Sequence, residues 1–329
     1  MTPEPILSVK NLSIHFDTPD GRVVRAVEGF ELDFAPGKVM GIVGESGCGK
    51  TITARAIMGI LPPGGRIVSG EAFFSGMNLF TLPSSKRRAL CGKRIAMIFQ
   101  EPATALNPVL RVGDQVAEVI TQHLRLPKKK AMEKATGFLS ATSIPQPELK
   151  ARYYPNQLSG GMRQRVAIAQ ALAANPDLLI ADEPTTALDV TVQAQVVRLF
   201  ARLAKQPARA VWLITHDLGV VAELADEVAV MYAGKIVEKG SVETIFDEPA
   251  HPYTKGLLEA VKLLDRGDIR SSISGSVPDL ADLPHGCRFH PRCASRMPRC
   301  LKDIPPEFEF LSGHRASCWL YADNSKESK

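Results

Sequence analysis

The chain has 329 residues, 45% of them hydrophobic, which is enough for one large core and a smaller appendage. Its 40 Lys and Arg against 35 Asp and Glu give a net charge of +5, too weak an excess to argue for nucleic acid as a partner. No signal-peptide pattern opens the chain, and no run approaches the ~18 consecutive apolar residues of a membrane span. We therefore expect a cytosolic globular protein that reaches a membrane only through a partner.

Short stretches between residues 7 and 34 alternate apolar with polar side chains, and the turn residues Asp17 to Gly21 interrupt them. Such alternation predicts an antiparallel β layer. Farther on, Gly64, Gly65, Gly70 and Gly76 are predicted to separate further short strands. Phe16 has two interpretations, since an aromatic side chain here could stack on an adenine ring or pack in the core.

The segment Gly44–Thr51 fits the phosphate-binding pattern G-x-x-x-x-G-K-T without a mismatch. The apolar run Val39–Val43 before it predicts a buried strand, and residues 52–61 after it predict a helix. Glycines let the loop curl around phosphates, Lys50 adds positive charge, and Thr51 offers a hydroxyl to Mg²⁺. The segment therefore predicts a nucleotide site. The candidate contacts are Gly44, Ser46, Gly47, Cys48, Gly49, Lys50, Thr51 and Ile52.

Polar side chains follow two later apolar runs, at the strand ends where an α/β sheet places its ligands. Residues 178–181 lead to Asp182 and Glu183, and residues 211–215 lead to His216. ATP hydrolysis needs a metal anchor, a group that polarises water and charge stabilisation at the γ-phosphate. We assign these tasks to Asp182 with Mg²⁺, to Glu183 and to His216. The alternation of strands and helices predicts an α/β fold with a largely parallel sheet.

A helical insertion is predicted after Gln100, which ends the apolar stretch Met97–Phe99. Residues 112–121 and 131–139 show helical spacing and are rich in Ala, Glu and Lys. A further helix is predicted to begin after Ser159, which can cap it. Its apolar stripe consists of Val166, Ala169, Leu172 and Ala173.

The segment Leu158–Gln164, with the sequence LSGGMRQ, resembles the signature of ATP-binding cassette (ABC) ATPases. Gln100 resembles the Q-loop glutamine of that family, Ala187–Asp189 its D-loop and His216 its switch histidine. The resemblance implies a P-loop NTPase cassette over residues 1–246. It also implies a mostly parallel sheet, an antiparallel β layer and a helical subdomain at about 103–165.

In that family two cassettes dimerise head to tail, and the signature of one closes over ATP held by the other. The resemblance therefore implies that a single copy forms no complete site. The implied nucleotide contacts outside the loop are Phe16, Ser159, Gly160, Gly161, Gln164 and Asp189. The implied catalytic residues are Glu183, His216 and Gln100, and the implied Mg²⁺ ligands are Thr51, Gln100 and Asp182.

The alternation of strands and helices stops near Asp247, and we expect an irregular, Pro-rich extension over residues 247–329. The stretch Pro249–Leu258 resembles the C-terminal extension of oligopeptide and dipeptide importer ATPases. Within it His251 is expected to anchor the extension rather than to bind a ligand. The same subfamily is indicated by Val43–Gly47, Gln100–Pro108, Ala181–Thr191 and Met231–Gly234, so the resemblance runs nearly full length.

Four of the six cysteines lie in this extension, at Cys287, Cys293, Cys300 and Cys318. Four thiolates suit one metal centre, although the spacing lacks the tight C-x2-C pairs of zinc ribbons. Some members of the peptide importer family carry a 4Fe-4S cluster in this extension, so the resemblance implies one here. Zinc is an alternative, and so are plain thiols or disulfides.

Taken together, the residues and the resemblance predict the ATP-hydrolysing subunit of a bacterial importer for dipeptides or oligopeptides, peripheral on the cytoplasmic face of the cell membrane. Its expected partners are a second ABC subunit, two membrane permeases and an extracytoplasmic substrate-binding protein, with no nucleic acid. Nickel, glutathione, opine or antimicrobial-peptide uptake are alternative roles for the same type of subunit. A soluble ABC ATPase of DNA repair or translation is a more distant alternative.

Overall fold

The computed structural model describes residues 4–101, 105–186, 188–204, 208–264, 273–310 and 313–322. The strands are β1 (Leu7–Asp17), β2 (Val23–Phe34), β3 (Val39–Val43), β4 (Gly65–Phe74), β5 (Met77–Asn78), β6 (Ile95–Ile98), β7 (Leu178–Asp182), β8 (Ala210–Ile214), β9 (Glu227–Tyr232), β10 (Lys235–Ser241), β11 (Phe308–Glu309) and β12 (Arg315–Ala316). The α-helices are α1 (Lys50–Met58), α2 (Ser84–Leu90), α3 (Val112–Leu124), α4 (Lys128–Ala141), α5 (Pro147–Lys150), α6 (Gly160–Leu172), α7 (Val190–Ala204), α8 (Leu218–Leu224), α9 (Val242–Asp247) and α10 (Pro252–Leu264).

The chain forms two compact units. The first comprises residues 1–7, 34–39 and 81–214, and the second comprises residues 8–33, 40–80 and 215–329. Among the described residues, no helix is both long enough and apolar enough to cross a membrane.

The first unit contains the parallel strands β6, β7 and β8, adjacent in that order. Every residue of these strands is buried, which is the pattern expected of parallel strands covered on both faces. Their register pairs Ile98 with Ala181 and Asp182 with Ile214, so the carboxyl ends of β7 and β8 coincide. The predicted parallel arrangement is therefore confirmed for these strands.

Helices of the first unit enclose a separate apolar core within the stretch 106–173. The helices predicted at 112–121 and 131–139 are confirmed as α3 and α4, each a few residues longer. Helix α3 ends at Leu124, and the following Arg125 adopts the left-handed conformation that commonly terminates helices. The core contains Leu106, Val112, Val116, Ala117, Ile120, Ala131, Ala135, Leu139, Ile144, Ala151, Leu158, Val166, Ala169 and Ala173.

The second unit contains a four-stranded sheet in the order β2-β1-β4-β5, where the sequence predicted an antiparallel layer. Strand β4 runs through Gly70 instead of ending there, so that part of the prediction was wrong. Gly70 has φ +101°, and a Cβ atom at this position would lie 2.6 Å from the carbonyl oxygen of Asn11. This glycine thus allows the close approach of β1 and β4 rather than a turn.

A second set of strands in this unit runs β11-β12-β10-β9-β3. Strand β3 pairs in parallel with β9, and the pairs β9–β10, β10–β12 and β11–β12 are antiparallel. The extension after Asp247 is therefore less irregular than predicted, because it contains helix α10 and the β11–β12 pair. Two-residue strands are too short to produce an alternating pattern that a sequence reading could detect.

Candidate nucleotide site

The loop Gly44–Lys50 follows β3 directly and requires its glycines. Gly44, Gly47 and Gly49 have φ values of +151°, +80° and +105°. A Cβ atom on Gly44 would lie 2.1 Å from the carbonyl oxygen of Met231, and one on Gly49 would lie 2.6 Å from that of Ala26. Only glycine fits these two positions without a backbone shift.

The start of helix α1 has the properties of an anion site. Its N-terminus has no side-chain cap and no acidic residue in the first turn, so no local carboxylate offsets the positive end of the helix. Lys50 is 6% exposed, and its Nζ donates to the carbonyl oxygens of Gly44 at 2.7 Å and Glu45 at 3.0 Å. Ser46 and Gly47 are exposed, while Thr51 and Ile52 are half-buried. This donor set fits phosphate groups.

Cys48, a predicted nucleotide contact, is fully buried inside the loop. Its carbonyl oxygen accepts a hydrogen bond of 2.9 Å from the amide of Gly234 in the β9–β10 turn. Burial raises the pKa of the Cys48 thiol, although Lys50 lies nearby with an Nζ–Sγ distance of 3.5 Å. The side chain therefore packs beneath the loop, and a direct contact of Cys48 with nucleotide stays a prediction.

Phe16 lies near the end of β1 and is half-buried. A Cβ atom on Gly65 would lie 2.7 Å from its ring, so the ring packs directly on that glycine. Its role as an adenine contact stays a prediction.

His216 follows β8 and is exposed. The amide of the preceding Thr215 donates to the carbonyl oxygen of Ile42, at the end of β3, over 3.3 Å. The following Asp217 caps helix α8, accepting hydrogen bonds from the amides of Gly219 and Val220. The backbone of His216 is thus fixed on both sides, next to the strand that leads into the phosphate-binding loop.

In the first unit, Gln100 and Glu183 are brought together from positions 83 residues apart. Gln100 Nε2 donates to Glu183 Oε2 over 2.9 Å, and the hydroxyl of Thr186 donates to the same oxygen over 2.9 Å. Glu183 has φ +46°, an uncommon conformation for a residue other than glycine, and its amide donates to the carbonyl oxygen of Ile214. Asp182, the last residue of β7, is buried. Backbone strain such as the positive φ of Glu183 is typical of functional sites.

Thr186 was not predicted as a site residue. Its position three residues after Glu183 is only a weak sequence signal for a contact with that carboxylate. The chain must turn back at Glu183 for the hydroxyl to reach it. The unusual φ of Glu183 supplies that turn.

The signature segment begins helix α6. Ser159 caps the helix through its Oγ, which accepts a hydrogen bond from the amide of Met162, as predicted. Gly161 is half-buried, and a Cβ atom there would lie 3.4 Å from Leu188, so the signature packs closely on the segment after Glu183. Gly160, beside the cap, is half-buried as well.

Gln164 and Asp189 make internal contacts. Gln164 is 1% exposed, and its Nε2 donates to the carbonyl oxygen of Pro184 over 3.0 Å. The carboxylate of Asp189 accepts a hydrogen bond of 2.9 Å from the amide of Val192 in the first turn of α7. Their nucleotide contacts stay predictions. Ala187 of the predicted D-loop, and residues 102–104 of the stretch after Gln100, lie outside the described residues.

The phosphate-binding loop has partners in the C-terminal extension that the sequence did not reveal. The amide of Glu45 donates to the Tyr253 hydroxyl over 2.9 Å. The Glu45 carboxylate accepts two hydrogen bonds from Arg292, at 2.7 and 2.9 Å. These residues are 208 and 247 positions from Glu45, and a single sequence contains no signal for such pairs.

The extension is anchored on β10 through Glu238, whose carboxylate is buried. It accepts hydrogen bonds from the amides of Ala250 and His251, at 2.6 and 2.9 Å, and contacts His314 Nε2 at 2.7 Å. His251 is also buried, and its Nδ1 accepts from the amide of Tyr253. His251 therefore has the anchoring position that the sequence predicted for it.

The four cysteines of the extension are free thiols. Burial, together with the nearby thiols of Cys287, Cys293 and Cys300, raises the pKa of Cys318 to about 11, so the four groups lie within electrostatic range. Among the described residues, however, no group of three or more His, Cys, Asp or Glu side chains is arranged to hold a metal ion.

Comparisons with known proteins agree with this geometry. The family model described as "ABC transporter" matches residues 27–186, and the model "Oligopeptide/dipeptide transporter, C-terminal region" matches residues 237–300. The dimeric post-hydrolysis structure of the ATP-binding cassette MJ0796, bound to ADP and Pi, superposes with a TM-score of 0.66 and 25% identity. That match covers 72% of this chain and 98% of the other. The fold and the loop thus define an ABC-type ATPase, the class for which ATP and Mg²⁺ are the expected ligands.

Two curated relatives are similar over almost the whole chain. The dipeptide transport ATP-binding protein DppD of Bacillus subtilis is 48% identical over 96% of this chain and 95% of its own length. The oligopeptide transport ATP-binding protein OppD of Escherichia coli is 46% identical over 96% of this chain and 93% of its own. The chain belongs to this family of ABC transporter ATP-binding proteins with the oligopeptide/dipeptide-type C-terminal region.

Proposed function

We propose that this protein is the ATP-hydrolysing subunit that energises an ABC importer for dipeptides or oligopeptides. The observation that carries the proposal is the end-to-end similarity to dipeptide and oligopeptide transport ATP-binding proteins, which includes the C-terminal region as well as the cassette. The proposed organisation is a cassette over residues 1–246, with its helical subdomain at about 103–165, and an extension over residues 247–329.

Within the cassette, the loop residues 44–52 hold the phosphates, with Lys50 as the positive charge and Thr51 as a Mg²⁺ ligand. Asp182 supplies a carboxylate to Mg²⁺, and Glu183 polarises the attacking water. The hydrogen bonds from Gln100 and Thr186 support the role of Glu183, since they hold its carboxylate in one orientation. His216 contacts the γ-phosphate.

The signature residues Ser159, Gly160 and Gly161 act on ATP bound by a second cassette. The exposure of Ser159 at the start of α6 supports this role, because a helix N-terminus open to solvent can receive a phosphate from a partner. ATP binding then closes the cassette pair and hydrolysis reopens it.

The proposed partners are a second ABC subunit, two membrane permeases and an extracytoplasmic substrate-binding protein. The protein would be peripheral on the cytoplasmic face of the bacterial cell membrane. This subunit need not touch the peptide, since the binding protein collects the cargo outside.

The test is a gentle detergent pull-down of the tagged chain from membranes of its native host. Recovery of two multi-span permeases is expected, with a substrate-binding protein whose bound peptide identifies the cargo. Recovery of ribosomal proteins or nucleic acid, with no permease, would refute the transport function. A matched pull-down with Lys50→Ala shows whether the assembly depends on ATP: permeases recovered with this variant assemble without ATP binding, and permeases lost with it assemble only when ATP is bound.

The four cysteines are proposed to bind a metal centre, with a 4Fe-4S cluster as the first candidate. The chemistry of the donor set supports this, since all four are free thiols within electrostatic range of one another. Backbone amides also donate to the sulfur atoms of Cys287, Cys293 and Cys318, as is common around thiolate ligands. The thiols would have to reorient to share one centre.

Anaerobic purification tests the metal centre. Brown protein with iron and sulfide, lost together in Cys300→Ser, is expected. Colourless protein without iron would refute the cluster. Stoichiometric zinc in that protein would support a zinc site instead.

A further inference from the structure

The contacts between the C-terminal extension and the phosphate-binding loop carry an inference about nucleotide affinity. Glu45 is the second residue of the loop and directly follows Gly44, the first glycine of the phosphate-binding pattern. Its carboxylate and its amide are both bound by residues of the extension, Arg292 and Tyr253. We propose that Arg292 and Tyr253 are positioning residues for ATP binding, which act by holding and neutralising Glu45.

The need for neutralisation follows from charge. A loop that cradles phosphates attracts anions through its amides, and a free carboxylate within that loop repels them. Arg292 binds Glu45 with a two-pronged geometry, which fixes the direction of the carboxylate as well as its charge. The Arg292 side chain is 4% exposed and that of Glu45 is 30% exposed, so solvent screens this pair only in part.

Arg292 is itself held in place. It donates through Nε to the carbonyl oxygen of Ser274 at 3.0 Å and through Nη2 to that of Ile273 at 3.1 Å. Its Nη1 also lies 3.4 Å from the Tyr232 hydroxyl. A guanidinium fixed by these partners can set the position of Glu45, whereas a mobile one could only follow it.

A second set of contacts connects the extension to the same loop at Cys48. Arg288 donates to the carbonyl oxygen of Ala233 and to the carboxylate of Glu28. The next residue, Gly234, donates its amide to the carbonyl oxygen of Cys48 in the loop. The short segment Arg288–Arg292 thus supports the loop at both Glu45 and Cys48, and the extension becomes part of the nucleotide site.

The test measures MgATP affinity of the full-length chain by calorimetry. Arg292→Met should weaken binding about tenfold, because it leaves the Glu45 charge uncompensated. The double variant Arg292→Met with Glu45→Gln should recover most of that loss, since the repelling charge is gone, and Arg292→Lys should lose less than Arg292→Met. Arg296→Met, which removes an exposed charge four residues farther along the extension, is the matched control and should bind normally.

Tyr253→Phe should weaken binding about threefold, because the Glu45 amide loses its acceptor. Tyr321→Phe is its control, since that hydroxyl donates to the carbonyl oxygen of Ala250 instead. Thermal unfolding without nucleotide verifies that each variant is folded.

Normal affinity in folded Arg292→Met would overturn the inference. So would equal losses in Arg292→Met and Arg296→Met, or a double variant as weak as Arg292→Met, because a merely structural arginine would not be rescued at Glu45. The inference rests on the proposed role of the loop, which Lys50→Ala tests separately. Lost binding in Lys50→Ala with normal binding in Arg292→Met refutes only the inference, whereas normal binding in Lys50→Ala refutes the proposed loop function.

Discussion

Gln100 Nε2 donates a hydrogen bond of 2.9 Å to Glu183 Oε2, which joins the end of β6 to the turn after β7. Thr186 donates to the same oxygen, so one carboxylate oxygen has two donors. These two charge-assisted hydrogen bonds hold the Glu183 carboxylate in one orientation. The proposed water-activating residue is therefore held by contacts within the first unit.

Glu183→Gln should abolish turnover while preserving ATP binding. An amide has nearly the shape of the carboxylate but cannot polarise water in the same way, so we expect kcat of the assembled transporter to fall at least ~100-fold. MgATP affinity, measured by calorimetry, should stay within about threefold. Glu133→Gln on the exposed face of α4 is the control. Near-normal turnover in Glu183→Gln would remove this residue from the mechanism.

Thr186→Val should lower kcat about fivefold and leave ATP affinity unchanged. Valine keeps the size of the side chain but removes the hydroxyl that orients Glu183, a loss of about 1 kcal/mol. Steady-state ATPase assays of the assembled transporter measure the change. In the control Thr136→Val, the lost hydroxyl donates to the carbonyl oxygen of Met132 within α4, and kcat should not change. An unchanged kcat in Thr186→Val would show that this hydroxyl is not needed to orient Glu183.

Glu238→Ala should destabilise the protein strongly, by about 3 kcal/mol. The substitution leaves the buried amides of Ala250 and His251, together with His314, without their shared acceptor. Urea unfolding followed by circular dichroism measures the free energy of unfolding. The matched change Glu307→Ala, at a partly exposed ion pair with Arg315, should cost less than ~1 kcal/mol. Similar costs for the two variants would contradict an anchoring role for Glu238.

Acidification should destabilise the wild type more than His251→Asn. Burial lowers the pKa of His251 to about 3, whereas the unfolded chain binds a proton near pH 6.5. Between those values the unfolded state holds one more proton, so stability falls as the pH falls through this window. Asparagine can accept the Tyr253 amide but does not titrate.

Urea unfolding at pH 7 and pH 5 measures this effect. The wild type should lose up to ~2 kcal/mol more than His251→Asn between these two pH values, as expected for one proton over about 1.5 pH units. Parallel losses in the two proteins would assign the acid sensitivity to other groups.

The sequence predicted the parts of the site that depend on local patterns. The loop Gly44–Thr51 has a spacing dictated by phosphate chemistry, and the buried runs before Asp182 and His216 are long enough to mark strands. Ser159 was predicted as a cap because capping needs only a side-chain oxygen and amides two or three residues on, and the structure confirms it.

Local patterns predicted the end of helix α1 and the role of Gly70 less well. Helix α1 was predicted to extend to residue 61 but ends at Met58, where Gly59 adopts φ +73° and the following Ile60 donates back to Arg55. Gly70 was read as a break, although its role is to let two strands approach. In both cases the same residue type permits two backbone outcomes, and packing selects between them.

By itself the sequence determined the fold class, the nucleotide loop and the family, because these depend on short periodic patterns and fixed spacings. Only the tertiary structure decided that Thr186 orients Glu183, that Glu238 anchors the extension, and that Arg292 and Tyr253 bind Glu45. Pairs separated by up to 247 residues leave no periodic trace along one chain. Their energies arise from burial and hydrogen-bond geometry, which exist only after the strands and the extension have folded together.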